Sequence, residues 1–222
     1  EIKNKLVDIS PHAVKKIDVF QYGINLFRVD KKSSIKDDGA FKIVSMRNWS
    51  KVYNVDVVLS GYKKFIDNSG GVHRSLLYLF GTADKERCFE IRSCIDRLNI
   101  PPDKIEVIGF APNTVLIEKL KKCHVFVSIP SKDGLPISVL EGMWAGAIPL
   151  LSPLQTYRTL FDEGDAVYLD SIKPESLSNA LQYAYDLSTR FDPFRNRLVV
   201  SGRYNRAINV KRFHNYVESA LG

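Results

Sequence analysis

The stretch Ser128–Ser152, SIPSKDGLPISVLEGMWAGAIPLLS, decides how this 222-residue chain is read. An apolar strand ends near Ile129, the loop PSKDGLP (130–136) follows, and apolar positions at Val139, Leu140 and Met143 then predict a helix capped by Ser138. AIPLLS (147–152) returns to strand character. Gly134 lets the backbone come close to a ligand, and the free amides of a first helical turn form an anion site. Asp133 stands just before that turn and Glu141 one turn inside it, where a carboxylate can accept two hydrogen bonds from a vicinal diol such as a ribose. A phosphate in the middle with hydroxyls at both ends describes a nucleotide sugar. On spacing alone, a helix-capping Asp and a solvated Glu account for the same residues.

The same strand and helix pattern recurs on both sides. FKIVSM (41–46), SLLYLFG (75–81), KIEVIGF (104–110), HVFVSIP (124–130) and AVYLD (166–170) are short and rich in β-branched and aromatic residues, as strands buried on both faces are. Helical spacing fills the gaps: Val55, Val58, Leu59, Tyr62, Phe65 and Ile66, then Cys88, Ile91, Ile95 and Leu98, then Leu177, Ala180, Leu181, Ala184 and Leu187. Regular alternation predicts an α/β fold with a doubly wound parallel sheet, which binds ligands at the carboxyl ends of its strands. Residues 1–39 read as a lead-in, with a short helix begun by Ser10 and Pro11, the segment KIDVFQYGINLF (16–27), and an exposed loop in DKKSSIKDDG (30–39). Residues 40–203 form the repeating unit, and 204–222 read as a closing amphipathic helix with Ile208, Phe213, Tyr216, Val217 and Leu221 on its apolar side.

Composition narrows the function classes. Apolar residues make up 45% of the chain and charges are dispersed, as in an ordinary globular protein. No apolar run approaches the ~20 residues of a membrane-spanning helix, and the first residues lack a secretory apolar core, so a cytoplasmic chain is expected. Cys88, Cys94 and Cys123 lack metal or redox spacing and read as free thiols, and no metal site is expected. His12, His73, His124 and His214 are scattered and read as structural or surface residues. With 32 Lys and Arg against 25 Asp and Glu, the net charge of +7 favours anionic partners, including peripheral contact with an anionic membrane surface. Without aromatic residues interleaved among the basic ones, nucleic acid is not expected.

The central stretch resembles the donor-binding signature of the family 4 retaining glycosyltransferases of the GT-B fold, in which two acids flank seven residues and a small Gly-containing tail leads into a strand. Asp133, Gly134, Leu135, Pro136, Ile137, Ser138, Glu141, Met143, Gly146 and Pro149 fall into that frame. The first acid is Asp here instead of the usual Glu, a shorter reach. The resemblance implies that Asp133 holds donor-sugar hydroxyls, that the amides from Gly134 to Ser138 meet sugar and diphosphate, and that Glu141 binds the ribose. SMRNWSKVYNVD (45–56) is similar to the family segment whose Arg and Lys clamp the diphosphate, which places those roles on Arg47 and Lys51. Met46 replaces the usual Gly, and the Arg-to-Lys spacing is one shorter than common. Gly81 stands where the family often has a Gly-rich turn near the phosphates, though GTADKE lacks the second Gly and a plain strand end fits as well. VIGFAPNT (107–114) resembles the base-reading loop, with Phe110 and Ala111 as the contacts; a plain turn into a helix capped by Asn113 is the alternative.

The resemblance implies the Rossmann-like C-terminal half of a GT-B enzyme, with the N-terminal acceptor domain supplied in cis or by a separate chain. It implies transfer of a hexosyl group from a nucleotide diphosphate sugar to an acceptor hydroxyl with retention, in glycan or surface polysaccharide synthesis. Without an Asp-x-Asp motif, Arg47, Lys51 and helix-terminal amides would neutralise the leaving diphosphate with no metal or cofactor. Such a half alone is expected to turn over little or nothing. A non-catalytic nucleotide-binding or scaffolding partner subunit is the alternative. A dinucleotide-binding protein is disfavoured, since no strand is followed by G-x-G-x-x-G.

Overall fold

The computed structural model describes residues 20, 22–27, 39–69 and 74–221. Six strands form one sheet: β1 (Phe41–Met46), β2 (Ser75–Phe80), β3 (Ile105–Gly109), β4 (Val125–Ser128), β5 (Ile148–Leu151) and β6 (Val167–Tyr168). All neighbours pair in parallel, in the order β3-β2-β1-β4-β5-β6. This is a Rossmann-like arrangement. Ile43 sits in register with Leu77 on one side and Val125 on the other, so β1 and β4 flank the point where strand order reverses. In sheets of this kind the ligand-binding crevice lies at this switch point, outside the carboxyl ends of the two strands.

Eight helices are described: α1 (Val55–Asn68), α2 (Lys85–Arg97), α3 (Asn113–Leu120), α4 (Ile137–Ala145), α5 (Gln155–Leu160), α6 (Pro174–Ser188), α7 (Pro193–Arg203) and α8 (Arg206–Leu221). The two-residue period of a strand divides the core into two layers. Ile43, Leu77, Leu79, Val125 and Val127 face α1, α2 and α6, where they meet Val55, Leu59, Ile91 and Leu177. Val44, Tyr78, Phe80 and Phe126 face the other way, onto Leu120, Leu140, Met143, Tyr157 and Val200 of α3, α4, α5 and α7. Leu59, Leu77 and Leu79 are fully buried, and truncating such a residue to Ala costs about 2–5 kcal/mol. α1 and α6 pack closely because Gly61 has no side chain: a Cβ there would lie 2.7 Å from Leu177 Cδ2.

Several expectations need correction. AVYLD yields only a two-residue strand, Val167–Tyr168, on the sheet edge. Neither α4 nor α3 is capped as expected: Pro136 and Pro112 hold the cap positions without side-chain bonds, and Ser138 and Asn113 lie inside their helices. Hydrophobic periodicity did not identify α5 and α7, which are short or interrupted by polar residues. The final helix starts at Arg206 and follows a break at Tyr204, whose side chain is buried. Its apolar residues do not all face inward, with Ile208 40%, Phe213 50% and Tyr216 41% exposed. The rings of Phe213 and Tyr216 instead lie 5.2 Å and 5.1 Å from that of Phe20.

In the lead-in, Tyr22–Phe27 forms no strand and makes a single bridge, Ile24 to Asn205. The Ile24 amide donates to Tyr204 O (2.7 Å) and the Arg206 amide to Ile24 O (2.9 Å). The helix expected at Ser10 and Pro11, most of the loop at 30–39, and His12 and His73 lie outside the described residues. His124 Nδ1 accepts from the Lys42 amide at 3.0 Å, and all three cysteines are free thiols.

Candidate functional site

The carboxyl end of β1 delivers Arg47 into the crevice. Its Nη1 donates to Ser138 Oγ at 2.9 Å and its Nη2 forms an ion pair with Asp133 Oδ2. Its guanidinium lies over the ring of Tyr53, 4.5 Å from the centroid, a favourable cation–π contact. Arg47 Nε is buried without an acceptor. Two loops from opposite sides of the switch point thus meet through Arg47, Asp133 and Ser138.

Asp133 is more fully engaged than its sequence suggested. Oδ2 also accepts from the Tyr157 hydroxyl at 2.7 Å, and Oδ1 accepts from the Gly134 amide at 2.9 Å. Tyr157 is fully buried on α5, and burial pushes its phenol above the ordinary range, with Asp133 adding to the rise. In the turn that follows, the Ile137 amide returns to Leu135 O at 3.0 Å, while Val139 and Leu140 donate to Pro136 O. The amides of Leu135 and Ser138 have no acceptor among the described residues. They remain open donors at the positive end of α4.

Glu141 lies elsewhere on the same helix. It lines a cavity of about 280 Å³ with Ile137, Asn113 and Ile117 of α3, the segment Tyr22–Phe27, and Arg206. It has no hydrogen-bond or ion-pair partner among the described residues, and burial raises its pKa. A partly desolvated, unpaired carboxylate in a cleft is a candidate binding position. Asp133 is not part of that cavity, so the two acids stand at neighbouring stations along the start of α4. A second cavity, about 400 Å³, runs along β6 and α6 and contains none of the candidate residues.

The other candidates fall around this centre. Lys51 begins a short 3-10 turn, Lys51–Tyr53, and is exposed without an ion pair among the described residues. Gly81 has φ +122°, and a Cβ on it would lie 2.1 Å from the carbonyl oxygen of Arg47. Its amide donates to Gly109 O at 2.9 Å. Only glycine allows the end of β2 to approach the Arg47 backbone so closely. Phe110 is 87% exposed and, like Ala111, precedes α3 in the chain; neither lines the Glu141 cavity, which Asn113 and Ile117 of α3 do.

Sequence reasoning missed Tyr53, Asn54, Trp49 and Tyr157. Asn54 adopts the left-handed conformation at φ 53°, which Asn tolerates. Its side chain leaves the α1 cap open and donates instead to Ile129 O (2.7 Å) and Ser131 Oγ (2.9 Å). The Ser131 amide donates back to Val52 O at 2.8 Å. Among the described residues no group of three His, Cys, Asp or Glu could hold a metal ion, and no helix is long and apolar enough to cross a membrane.

The family model described as Glycosyl transferases group 1 matches residues 27–204. No curated protein matches the chain. Among solved structures, Anabaena HepE in complex with UDP and glucose superposes with a TM-score of 0.78 at 12% identity, over 93% of this chain and 58% of that one. The pneumococcal O-GlcNAc transferase GtfA in complex with UDP and GlcNAc gives 0.71 at 13% identity, over 90% and 38%. S. aureus TarM, in a complex that includes UDP, gives 0.72 at 12% identity, over 92% and 41%. At these identities the likeness is one of fold, and this chain spans less than two thirds of each of those chains.

Proposed function

Since the chain belongs to the glycosyl transferases group 1 family, we propose that it is the donor-binding half of a retaining, family 4 type GT-B enzyme that transfers a hexosyl group from a nucleotide diphosphate sugar to an acceptor hydroxyl. The observation that carries this reading is the meeting of Arg47, from the end of β1, with the first turn of α4 across the switch point. An arginine fork and the open amides of Leu135 and Ser138 suit a diphosphate, stabilising negative charge as it develops on the leaving group. Lys51 adds a second cation on the same loop. No metal or cofactor is needed for that neutralisation.

Glu141 takes the ribose hydroxyls, because its unpaired carboxylate gains two donors when a diol binds. Phe110 and Ala111, in the loop that leads into α3, take the base. Asp133 faces the sugar from Gly134, with Oδ1 as its freer oxygen. The acceptor and any acceptor-side base belong to a second domain, in cis or on another chain, so this half alone turns over little. Surface polysaccharide synthesis on the cytoplasmic side, with peripheral contact to an anionic membrane, suits the basic surface.

Thermal-shift measurements over the common nucleotide sugars test the reading. Protection of the parent chain that disappears in Glu141→Ala supports it. A folded chain indifferent to every nucleotide would favour the scaffolding-subunit alternative.

A further inference from the structure

Arg87 lies outside the crevice, at the start of α2, yet its side chain is buried. Its guanidinium reaches three acceptors: Nε donates to Trp49 O at 2.8 Å, Nη2 to Asp56 Oδ2 at 2.7 Å and Nη1 to Glu90 Oε2 at 2.8 Å. Trp49 stands midway between Arg47 and Lys51 in the chain. Its indole is 2% exposed and donates to Phe80 O at 3.1 Å, while its amide donates to Thr82 O, also at 3.1 Å. With its carbonyl on Arg87, this one residue is held at three points by β2, the turn after it, and α2.

Asp56 lies in the first turn of the helix that follows the loop, so Arg87 grips the segment 47–56 at its middle and at its far end. Core packing alone would not require a fork aimed at a loop carbonyl. The loop lacks regular hydrogen bonding over Arg47–Ser50, and its cations need a fixed position to act together on one anion.

We infer that Arg87 is a positioning residue for the phosphate-clamping loop, holding Arg47 and Lys51 in place through the carbonyl of Trp49 and the carboxylate of Asp56. This rests on the donor-diphosphate reading above. Arg87 itself does not touch the nucleotide. Its loss therefore weakens recognition of phosphate and leaves recognition of the nucleoside unchanged, whereas a general structural role would affect both alike.

The test compares the parent 222-residue chain with Arg87→Gln. Titration calorimetry with UDP, GDP and ADP identifies the diphosphate bound, and ligand-observed NMR measures the matching nucleoside. The expected result is a loss of about tenfold for the diphosphate, the size of one charge-assisted hydrogen bond, with nucleoside affinity retained. Arg87→Lys, which keeps the charge but cannot reach Asp56 and Trp49 as a fork, should fall between the two and serves if Arg87→Gln does not fold. Unchanged diphosphate affinity in a folded variant, or parallel losses for nucleoside and diphosphate, overturns the positioning role and leaves the donor reading intact. A parent chain that binds no diphosphate overturns both.

Discussion

The buried hydroxyl of Tyr157 donates to Asp133 at 2.7 Å, joining a short helix after β5 to the loop after β4. The phenol shares its acceptor oxygen with Arg47, so the orientation of Asp133 is set from two sides. Tyr157→Phe removes one of these donors without changing ring packing. Stability should fall by about 2 kcal/mol, the usual worth of a hydrogen bond to a charged group. Urea unfolding followed by circular dichroism measures it, and an unchanged midpoint and slope would mean that the contact contributes nothing.

Arg47→Lys should separate charge from geometry. An ammonium keeps the positive charge but cannot serve Asp133 and Ser138 as a planar fork does. Diphosphate affinity should drop about tenfold, while nucleoside affinity stays as in the parent. Calorimetry with both ligands reads the difference, and equal diphosphate affinity would remove Arg47 from the clamp.

Glu141 predicts a pH-dependent conflict between stability and binding. Burial raises its folded-state pKa above the unfolded value, so the stability it permits is fully present below the unfolded pKa and is lost as pH rises through the folded one. Glu141→Gln removes that loss. The variant should therefore be more stable than the parent at neutral pH, with the gap closing as the pH falls from the raised folded-state pKa to the ordinary glutamate value. It should also lose nucleotide protection. Melting curves across pH, with and without nucleotide, test both halves; a variant less stable than the parent at neutral pH would show that the carboxylate has a favourable partner.

Gly81→Ala should be among the most disruptive small changes in the chain. Its φ of +122° disfavours any L side chain, and the new methyl would collide with Arg47 O. A loss of about 2 kcal/mol or more is expected, with weaker diphosphate binding as the loop shifts. Denaturant unfolding measures the first effect and calorimetry the second. A variant as stable as the parent would show that the strand ends can separate freely.

The layers were readable from sequence because continuous apolar runs such as FKIVSM and SLLYLFG are what a sheet covered on both faces needs; β1 matches the first residue for residue and β2 ends one residue before Gly81. Arg47, which directly follows a strand, and Asp133 and Ser138, five residues apart in the chain, do come together in the structure, although on spacing alone Asp133 and Glu141 read equally as a helix cap and a solvated acid. Tyr157 was not readable, because its partner is 24 positions away and nothing in LQTYRTLF marks one tyrosine as buried against a carboxylate. The role of Ser138 was misread for a similar reason. A serine near a helix start suggests a cap, but here Pro136 takes the cap position and the hydroxyl accepts from Arg47. Amphipathic spacing over 204–222 gave the helix, found at 206–221, but not its surroundings, since periodicity records a face and not what covers it.

The bridge formed by Asn54 and Ser131 bears on how such a protein could move. It fastens the two lips of the crevice to each other, so they cannot part without breaking several bonds at once. A ligand entering there would therefore meet a stiff palm whose shape is set before arrival. Any change of shape at this point would have to carry both lips together.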